Sequence, residues 1–402
     1  MIATFELRCS RCRTPAQRHD TPCAACGELL EFALHSETCD PLAAREYAAL
    51  VAARRANNTS LDRSGIWRWR ELLPQIPHDA IVTLGEGNVP LYDVPEIAAR
   101  EGVAALAFFH LGMNPTGSFK DLGMTVAISA ARAAGATRAI CASTGNTASS
   151  MAAYAARAGM EAYALVPRGK ISGAKLAQMR DYGVRVVEVE GSFDDALAAL
   201  TARTEADAAV VNSINPYRLE GQKCTAFALL EARSWLAPDW VVVPGGNLGN
   251  SSAIGKGFRE ALALGLIDRI PRIAVVQAEG AAPFVQLYRS GRDLVPIVPH
   301  TIASAIAVGA PRSWRKARAE LDASRGAAVS VTDDEIDAAK KRIGAAGIGC
   351  EPASAATLAG IARLRAEGSI AENDDVVAVL TGHVLKDSDA SLRVADRSDV
   401  GA

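Results

Sequence analysis

From about residue 103 onward, short apolar runs rich in β-branched residues alternate with alanine-rich stretches of helical pattern. The runs VAALAFF (103–109), TRAICAS (137–143), AYALV (162–166), VRVVEVE (184–190), AAVVN (208–212), DWVVVP (239–244), RIAVVQA (272–278) and DVVAVLT (375–381) have the length and composition of strands. Patterns such as NTASSMAAYAARAG and SGAKLAQMRDYG between them predict helices. Strands separated by such helices form βαβ units, whose parallel sheets are covered on both faces. The expected class is α/β. Upstream, PLAAREYAALVAARRA carries one clear helical period. GIWRWRELLP (65–74) reads as an amphipathic packing segment, because its Trp and Arg pairs are too few to make a nucleic-acid groove. The alternation breaks at about 283–335, where PIVPH and GAPRSW predict loops and irregular connections. The polar stretch SDASLRVADRSDVGA at the end reads as a mobile tail.

Composition narrows the class without naming a function. The 402 residues suffice for two or three domains and a large core. Hydrophobic residues at 49% and charged residues at 22% are ordinary for a soluble globular protein. A net charge of -2 gives no reason to expect nucleic acid or a membrane surface as partner. No apolar run is long enough to span a bilayer, and MIATFELRCSRC does not read as a signal peptide. Four of the eight cysteines fall in two CxxC pairs, which suits a reducing, cytoplasmic setting better than a disulfide framework. Cys9, Cys12, Cys23 and Cys26, spaced CxxC-x10-CxxC, predict a small zinc-ribbon-like module over residues 1–38. Four thiolates close a tetrahedral site, so the module reads as structural and separable from catalysis. The alternative is a degenerate site that has lost its metal. Cys141, Cys224 and Cys350 stand in apolar contexts and read as core residues.

Open parallel sheets bind ligands beyond the carboxyl ends of their strands. ASTGNTAS (142–149), PGGNLGNS (244–251) and LTGHVLKD (380–387) are glycine-rich stretches at such ends. In PGGNLGNS, convergent backbone N–H groups and a helix N-terminus make an anion cradle, most often for phosphate. It is neither a Walker A loop nor the dinucleotide fingerprint. Such a loop by itself is as often structural. NPTGSFKD adds Lys120 at the mouth of a helix-like run. A lysine shielded from water at a helix start has its ammonium form disfavoured and can form a Schiff base with an aldehyde. An exposed helix lysine is the bland alternative. An aldehyde that also carries a phosphate is pyridoxal phosphate.

VTLGEGNVPL, NPTGSFKD, ASTGNTAS, VNSINPYRLEGQ, PGGNLGNS, CEPASAATLAG and TGHVLKD occur in one chain, in this order. Together they resemble the threonine synthase family of pyridoxal-phosphate enzymes, of the tryptophan-synthase-β-like fold (fold type II), over about residues 65–390. The resemblance implies two αβα domains with parallel sheets in region 39–402, a smaller subdomain at about 122–212 inserted in the larger one, the cofactor in the cleft between them, and a homodimer. It implies a lyase that converts O-phospho-L-homoserine and water to L-threonine and phosphate by β,γ-elimination and replacement. Lys120 resembles the Schiff-base lysine and proton carrier, and Asn146 the partner of the cofactor's ring hydroxyl. Gly245, Gly246, Asn247, Leu248, Gly249 and Asn250 match the cofactor-phosphate loop, and Thr381 the residue facing the pyridine nitrogen. Ser143, Thr144 and Thr147 resemble the clamp on the substrate carboxylate. Asn212, Ser213, Asn215 and Arg218 stand where the family binds substrate phosphate. His383 is read as a packing neighbour.

The chain departs from the family's pattern at Leu111, Leu122, Ala307 and Ala310, where charged or polar residues are usual. Burying an unpaired charge is costly, so these changes predict a reshaped substrate site and poor turnover of phosphohomoserine. A paralogue performing cysteate-synthase-like β-replacement on O-phosphoserine is therefore an alternative. A non-catalytic homologue that uses the cysteine module to bind a partner is another, and retention of Lys120 argues against it.

Overall fold

A computed structural model of the chain describes residues 3–16, 22–35, 41–143, 145–167, 173–190 and 207–387. The polar C-terminal stretch read as a tail, and Thr144 of the expected carboxylate clamp, lie outside these residues. In chain order the strands are β1 (Thr4–Cys9), β2 (Leu30–His35), β3 (Leu91–Asp93), β4 (Ala105–His110), β5 (Arg138–Ala142), β6 (Glu161–Pro167), β7 (Arg185–Val189), β8 (Ala208–Val210), β9 (Trp240–Pro244), β10 (Arg272–Ala278), β11 (Ala327–Val331) and β12 (Asp375–Leu380). Each of the eight apolar runs forms a strand, alternating with helices as the pattern demands. Among the described residues no helix is long and apolar enough to cross a membrane.

The chain divides into two compact units. One comprises Met1–Asn88, Asn114–Ala237 and Ser252–Ile270. It holds a parallel four-stranded sheet, ordered β7-β6-β5-β8, and the antiparallel β1–β2 hairpin with Cys9 opposite Leu30. Its core is alanine- and methionine-rich, built from Met124, Ile128, Met151, Ala152, Tyr154 and their neighbours. Small residues let helices meet at the backbone. A Cβ on Gly123 would lie 2.6 Å from the Arg218 carbonyl oxygen, and one on Gly221 would overlap the Leu122 carbonyl. Helices Lys120–Ala133 and Pro216–Ala232 are thereby held in register. Gly221→Ala is expected to cost at least the roughly 1–3 kcal/mol of an overpacked core, because backbone cannot step aside as a side chain can. Urea unfolding of the variant checks this.

The segment 65–74 packs as read from the sequence. Trp67–Leu72 form a 3₁₀ helix with Trp67 and Trp69 buried, and Trp67 Nε1 donates to Thr125 Oγ1 at 2.8 Å. The cysteine module is not set apart from the unit that carries it. Phe32 of β2 and Tyr217 of helix Pro216–Ala232 have ring centroids 4.8 Å apart. A hairpin this small must borrow core from its neighbour, so its loss is expected to lower stability.

The other unit comprises Val89–Met113, Pro238–Ser251 and Pro271–Ala402. Its six-stranded sheet is ordered β11-β10-β9-β12-β4-β3 and is parallel except for the edge strand β3. Valine and alanine on both faces of β9, β10 and β12 are fully buried, as a covered parallel sheet requires. Region 283–335 is more regular than expected. It contains helices Pro283–Ser290 and Trp314–Ala323, and β11, whose Ala327 pairs with Ala274. The sequence of β11, AAVSV, is too short and mild to stand out as an apolar run, and β10 supplies its pairing.

Candidate active site

The turn before Lys120 is held by side chains from distant segments of its own unit. Gly117 at φ 83 supplies the left-handed residue that the turn needs. Asn114 Oδ1 accepts from Gly87 N at 2.8 Å. The Asp121 carboxylate accepts from Thr116 N at 2.7 Å, from Thr116 Oγ1 at 2.6 Å and from Ser150 Oγ at 2.6 Å. Asp121 is buried, and burial pushes its carboxyl up to about 6 against the pull of those donors. Glu86, in the LGEG stretch, gathers Ser64 Oγ at 2.6 Å, Tyr154 OH at 2.7 Å and Leu84 N at 3.0 Å. Lys120 opens helix Lys120–Ala133 half-buried, with Nζ 4.0 Å from the Phe119 ring centroid. Sequence reading gave Asp121 and Glu86 no role. Their partners lie up to 68 residues away, so no local pattern marks them.

Beyond β5, Ser143 Oγ accepts from Gly145 N at 3.1 Å, and helix Asn146–Ala158 follows with Asn146 buried and Thr147 half-buried. Beyond β8, both ends of the Asn212 amide are engaged by Ala142, accepting from its N at 2.9 Å and donating to its O at 3.0 Å. Asn215 caps helix Pro216–Ala232, accepting from Tyr217 N at 3.0 Å and donating to Val210 O at 2.9 Å. These two amides shape the loop, and Ser213 sits half-buried in it. Arg218 differs. It is 1% exposed, Nη1 donates to Val211 O at 3.2 Å, and Nε has no hydrogen-bond partner. Among the described residues no carboxylate pairs with it. Burial lowers its pKa to about 10, which still leaves it cationic at neutral pH.

In the second unit, the loop after β9 turns through Leu248 at φ 64 into helix Gly249–Ala263. A Cβ on Gly245 would lie 2.6 Å from Val275 Cγ1, and one on Gly246 would lie 3.1 Å from the Ala305 carbonyl oxygen. A side chain at Gly245 would overlap its neighbours, and one at Gly246 would crowd backbone. Asn247 Oδ1 accepts from Arg312 N at 2.6 Å, and its carbonyl accepts from Ser313 N at 3.2 Å. The Asn250 amide is buried with neither end hydrogen-bonded, and the buried Ser313 hydroxyl likewise has no partner. Unmatched polar atoms beside a helix N-terminus and a glycine loop fit a bound phosphate. Ser313 was hidden in the stretch GAPRSW, read as irregular. Thr381 follows β12, with its N donating to Ser354 Oγ at 2.8 Å and Oγ1 donating to Glu351 Oε1 at 3.4 Å. His383 stacks on His110, ring centroids 6.3 Å apart. His110 Nε2 donates to Gly349 O at 2.9 Å, while Nδ1 accepts from Gly112 N at 3.2 Å.

The four departures do not behave as one set. Leu111 and Leu122 are each 1% exposed, Ala307 is half-buried and Ala310 is exposed. The cost of burying a charge cannot explain an apolar residue at an exposed position, so the inference of a reshaped site from all four is withdrawn.

The sulfur atoms of Cys9, Cys12, Cys23 and Cys26 lie within 4.8 Å of one another. Cys9–Cys26, Cys12–Cys26 and Cys12–Cys23 are 3.5, 3.6 and 3.7 Å apart. A tetrahedron with metal–sulfur bonds of about 2.3 Å has edges of about 3.8 Å, so the donor set fits a closed metal site. Cys141, Cys224 and Cys350 are buried, and burial raises the thiols of Cys141 and Cys350 to about 12.

Residues 82–382 match the model of a family described as pyridoxal-phosphate-dependent enzyme. The chain is 44% identical to the threonine synthase of Methanocaldococcus jannaschii over 83% of each chain. It is 39% identical to that of Methanosarcina acetivorans over 98% of this chain and 96% of the other. A threonine synthase of Synechocystis is 45% identical over 82% of this chain and 87% of its own length. In fold it is similar to maize serine racemase, with TM-score 0.66 and 20% identity, covering 90% of this chain and 99% of the other. It is also similar to a threonine deaminase of Solanum lycopersicum, with TM-score 0.65 and 20% identity, covering 94% and 99%.

Proposed function

The chain belongs to the threonine synthase family of pyridoxal-phosphate-dependent enzymes, and on that premise we propose that it converts O-phospho-L-homoserine and water to L-threonine and phosphate. The observation that carries a phosphorylated substrate is Arg218, a buried guanidinium with an unmatched N–H and no carboxylate beside it among the described residues. A cation taken out of water without a counter-charge is costly, and a phosphate dianion matches its planar fork. When bound, pyridoxal phosphate supplies an aldehyde for an amine and an electron sink for the carbon acid.

The chain's own residues would do the rest. Lys120 would hold the cofactor covalently and, exchanged for the substrate amine, take protons at the substrate's Cα and Cβ. It would return a proton as phosphate leaves Cγ and water adds at Cβ. Asn250 and the N–H groups of Gly245–Gly249 would hold the cofactor phosphate, Asn146 its ring hydroxyl and Thr381 its ring nitrogen. Ser143, Thr144 and Thr147 would clamp the substrate carboxylate, with Ser213 near the phosphate end. Because both amide ends of Asn212 and Asn215 are engaged by backbone, their share in phosphate binding is to shape the loop around Arg218. Purified protein should be offered phosphohomoserine, and separately O-phosphoserine with sulfite, while phosphate and amino-acid products are followed. Threonine and phosphate from the first are expected. Phosphate release only from the second would replace this reading with the β-replacement one.

The sulfur spacing supports a structural zinc at Cys9, Cys12, Cys23 and Cys26. Metal analysis of protein prepared with zinc present is expected to find about one zinc per chain, the stoichiometry of one closed site. Family resemblance supports a homodimer, and cysteines grouped in two CxxC pairs instead of a disulfide framework support a cytoplasmic setting.

A further inference from the structure

We propose that the cysteine module is the support of the anion site, so that metal bound at Cys9, Cys12, Cys23 and Cys26 strengthens phosphate binding at Arg218 through Tyr217. This rests on the reading that Arg218 takes the substrate phosphate, and it adds a coupled second site and a positioning residue. Tyr217 belongs to two cores at once. It packs through the Phe32 ring onto the module's core of Leu7, Cys9, Cys23, Leu30 and Phe32, and also onto the apolar core around the four-stranded sheet. Two of those five module residues are themselves thiolate donors. Its own N–H is the one capped by Asn215, and the next residue is Arg218.

The module also covers charge on the same helix and on helix Gly249–Ala263. Glu220, Lys223, Lys256 and Glu260 form a buried cluster, with Lys223 Nζ 2.6 Å from Glu220 and 2.7 Å from Glu260, and Lys256 paired with Glu220. Lys223 Nζ lies 4.2 Å from the ring centroid of Phe5 in β1. Lys256 Nζ donates to the carbonyl of Phe32 in β2 at 2.5 Å. A module of one two-stranded hairpin and five buried core residues is too small to stand alone, and metal binding at such a module is folding energy. Loss of the metal therefore loosens the cover over Tyr217 and wets the charge cluster, and the first helical turn loses the wall that aims Arg218. By linkage the coupling is reciprocal: phosphate at Arg218 must tighten the metal by the same factor.

The test uses the full-length holoenzyme with zinc and inorganic phosphate as probes. Removing zinc with a chelator should weaken inorganic phosphate by about tenfold, within the usual range of site–site coupling, and readdition should restore it. On unaltered protein, saturating phosphate should slow zinc release to the chelator. Tyr217→Ala should raise KM for the phosphorylated substrate by about tenfold with a smaller change in kcat and an unchanged visible cofactor band. Tyr217→Phe should restore the parent KM. Arg218→Ala is the control that separates two failures. If it leaves phosphate affinity intact, the reading of Arg218 is wrong. If it abolishes phosphate binding while zinc removal and Tyr217→Ala leave that binding unchanged, the coupling proposed here is overturned.

Discussion

Lys120→Ala is expected to abolish turnover while the chain stays folded. Lys120 would provide both the covalent link to the cofactor and the amine that moves protons, so no second group covers its loss. A reduction of at least about 10⁴-fold is expected, the upper range for a positioned acid–base group. Folding should survive because buried side chains other than Lys120 hold the turn. Asn114 Oδ1 holds Gly87 N, and the Asp121 carboxylate holds Thr116 and Ser150. Borohydride treatment of the parent should leave the cofactor attached at residue 120, and the variant should carry no attached cofactor. A small added amine should restore part of the activity. A reducible link that survives in the variant would show that another lysine does the work.

Arg218→Ala should cripple substrate binding and leave the cofactor alone. Its guanidinium is buried, cationic at neutral pH and without a carboxylate among the described residues. A charge-assisted hydrogen bond contributes about 1.5–3 kcal/mol, so affinity for phosphorylated substrate or inorganic phosphate should fall by about 10- to 150-fold. Arg218→Lys should fall between, because a point charge replaces a planar fork. Cofactor affinity, read by equilibrium dialysis, should change little. The predicted cofactor-phosphate loop, Gly245–Asn250, is a separate segment with its own unmatched amide at Asn250. An equal loss of cofactor affinity would assign this segment to the other phosphate.

These two predictions differ in how far each was legible in the sequence. Lys120 could be nominated from NPTGSFKD alone, because a glycine turn opening a helix is written in adjacent residues. The isolation of Arg218 could not, since the absence of a nearby carboxylate is a property of the packed unit. Asn212 and Asn215 make the same point in reverse. Both stand in a promising polar loop, yet their amides are engaged by Ala142, Val210 and Tyr217.

The sequence by itself determined the α/β class, eight of the strands, the glycine loop after β9 and the paired CxxC motifs. Each is a short-range signal: apolar periodicity, turn chemistry or ligand spacing acts within about a dozen residues. Tertiary structure alone decided the rest. AAVSV became β11 because β10 offers it an edge, and region 283–335 gained two helices that a run-by-run reading missed. Asp121, Glu86 and Ser313 acquired their surroundings from segments distant in the chain. Ala310 proved exposed, and the cysteine module proved to share a core with Tyr217. Burial, hydrogen-bond partners and charge isolation arise from contacts between distant parts of the chain, and no local pattern encodes which parts will meet.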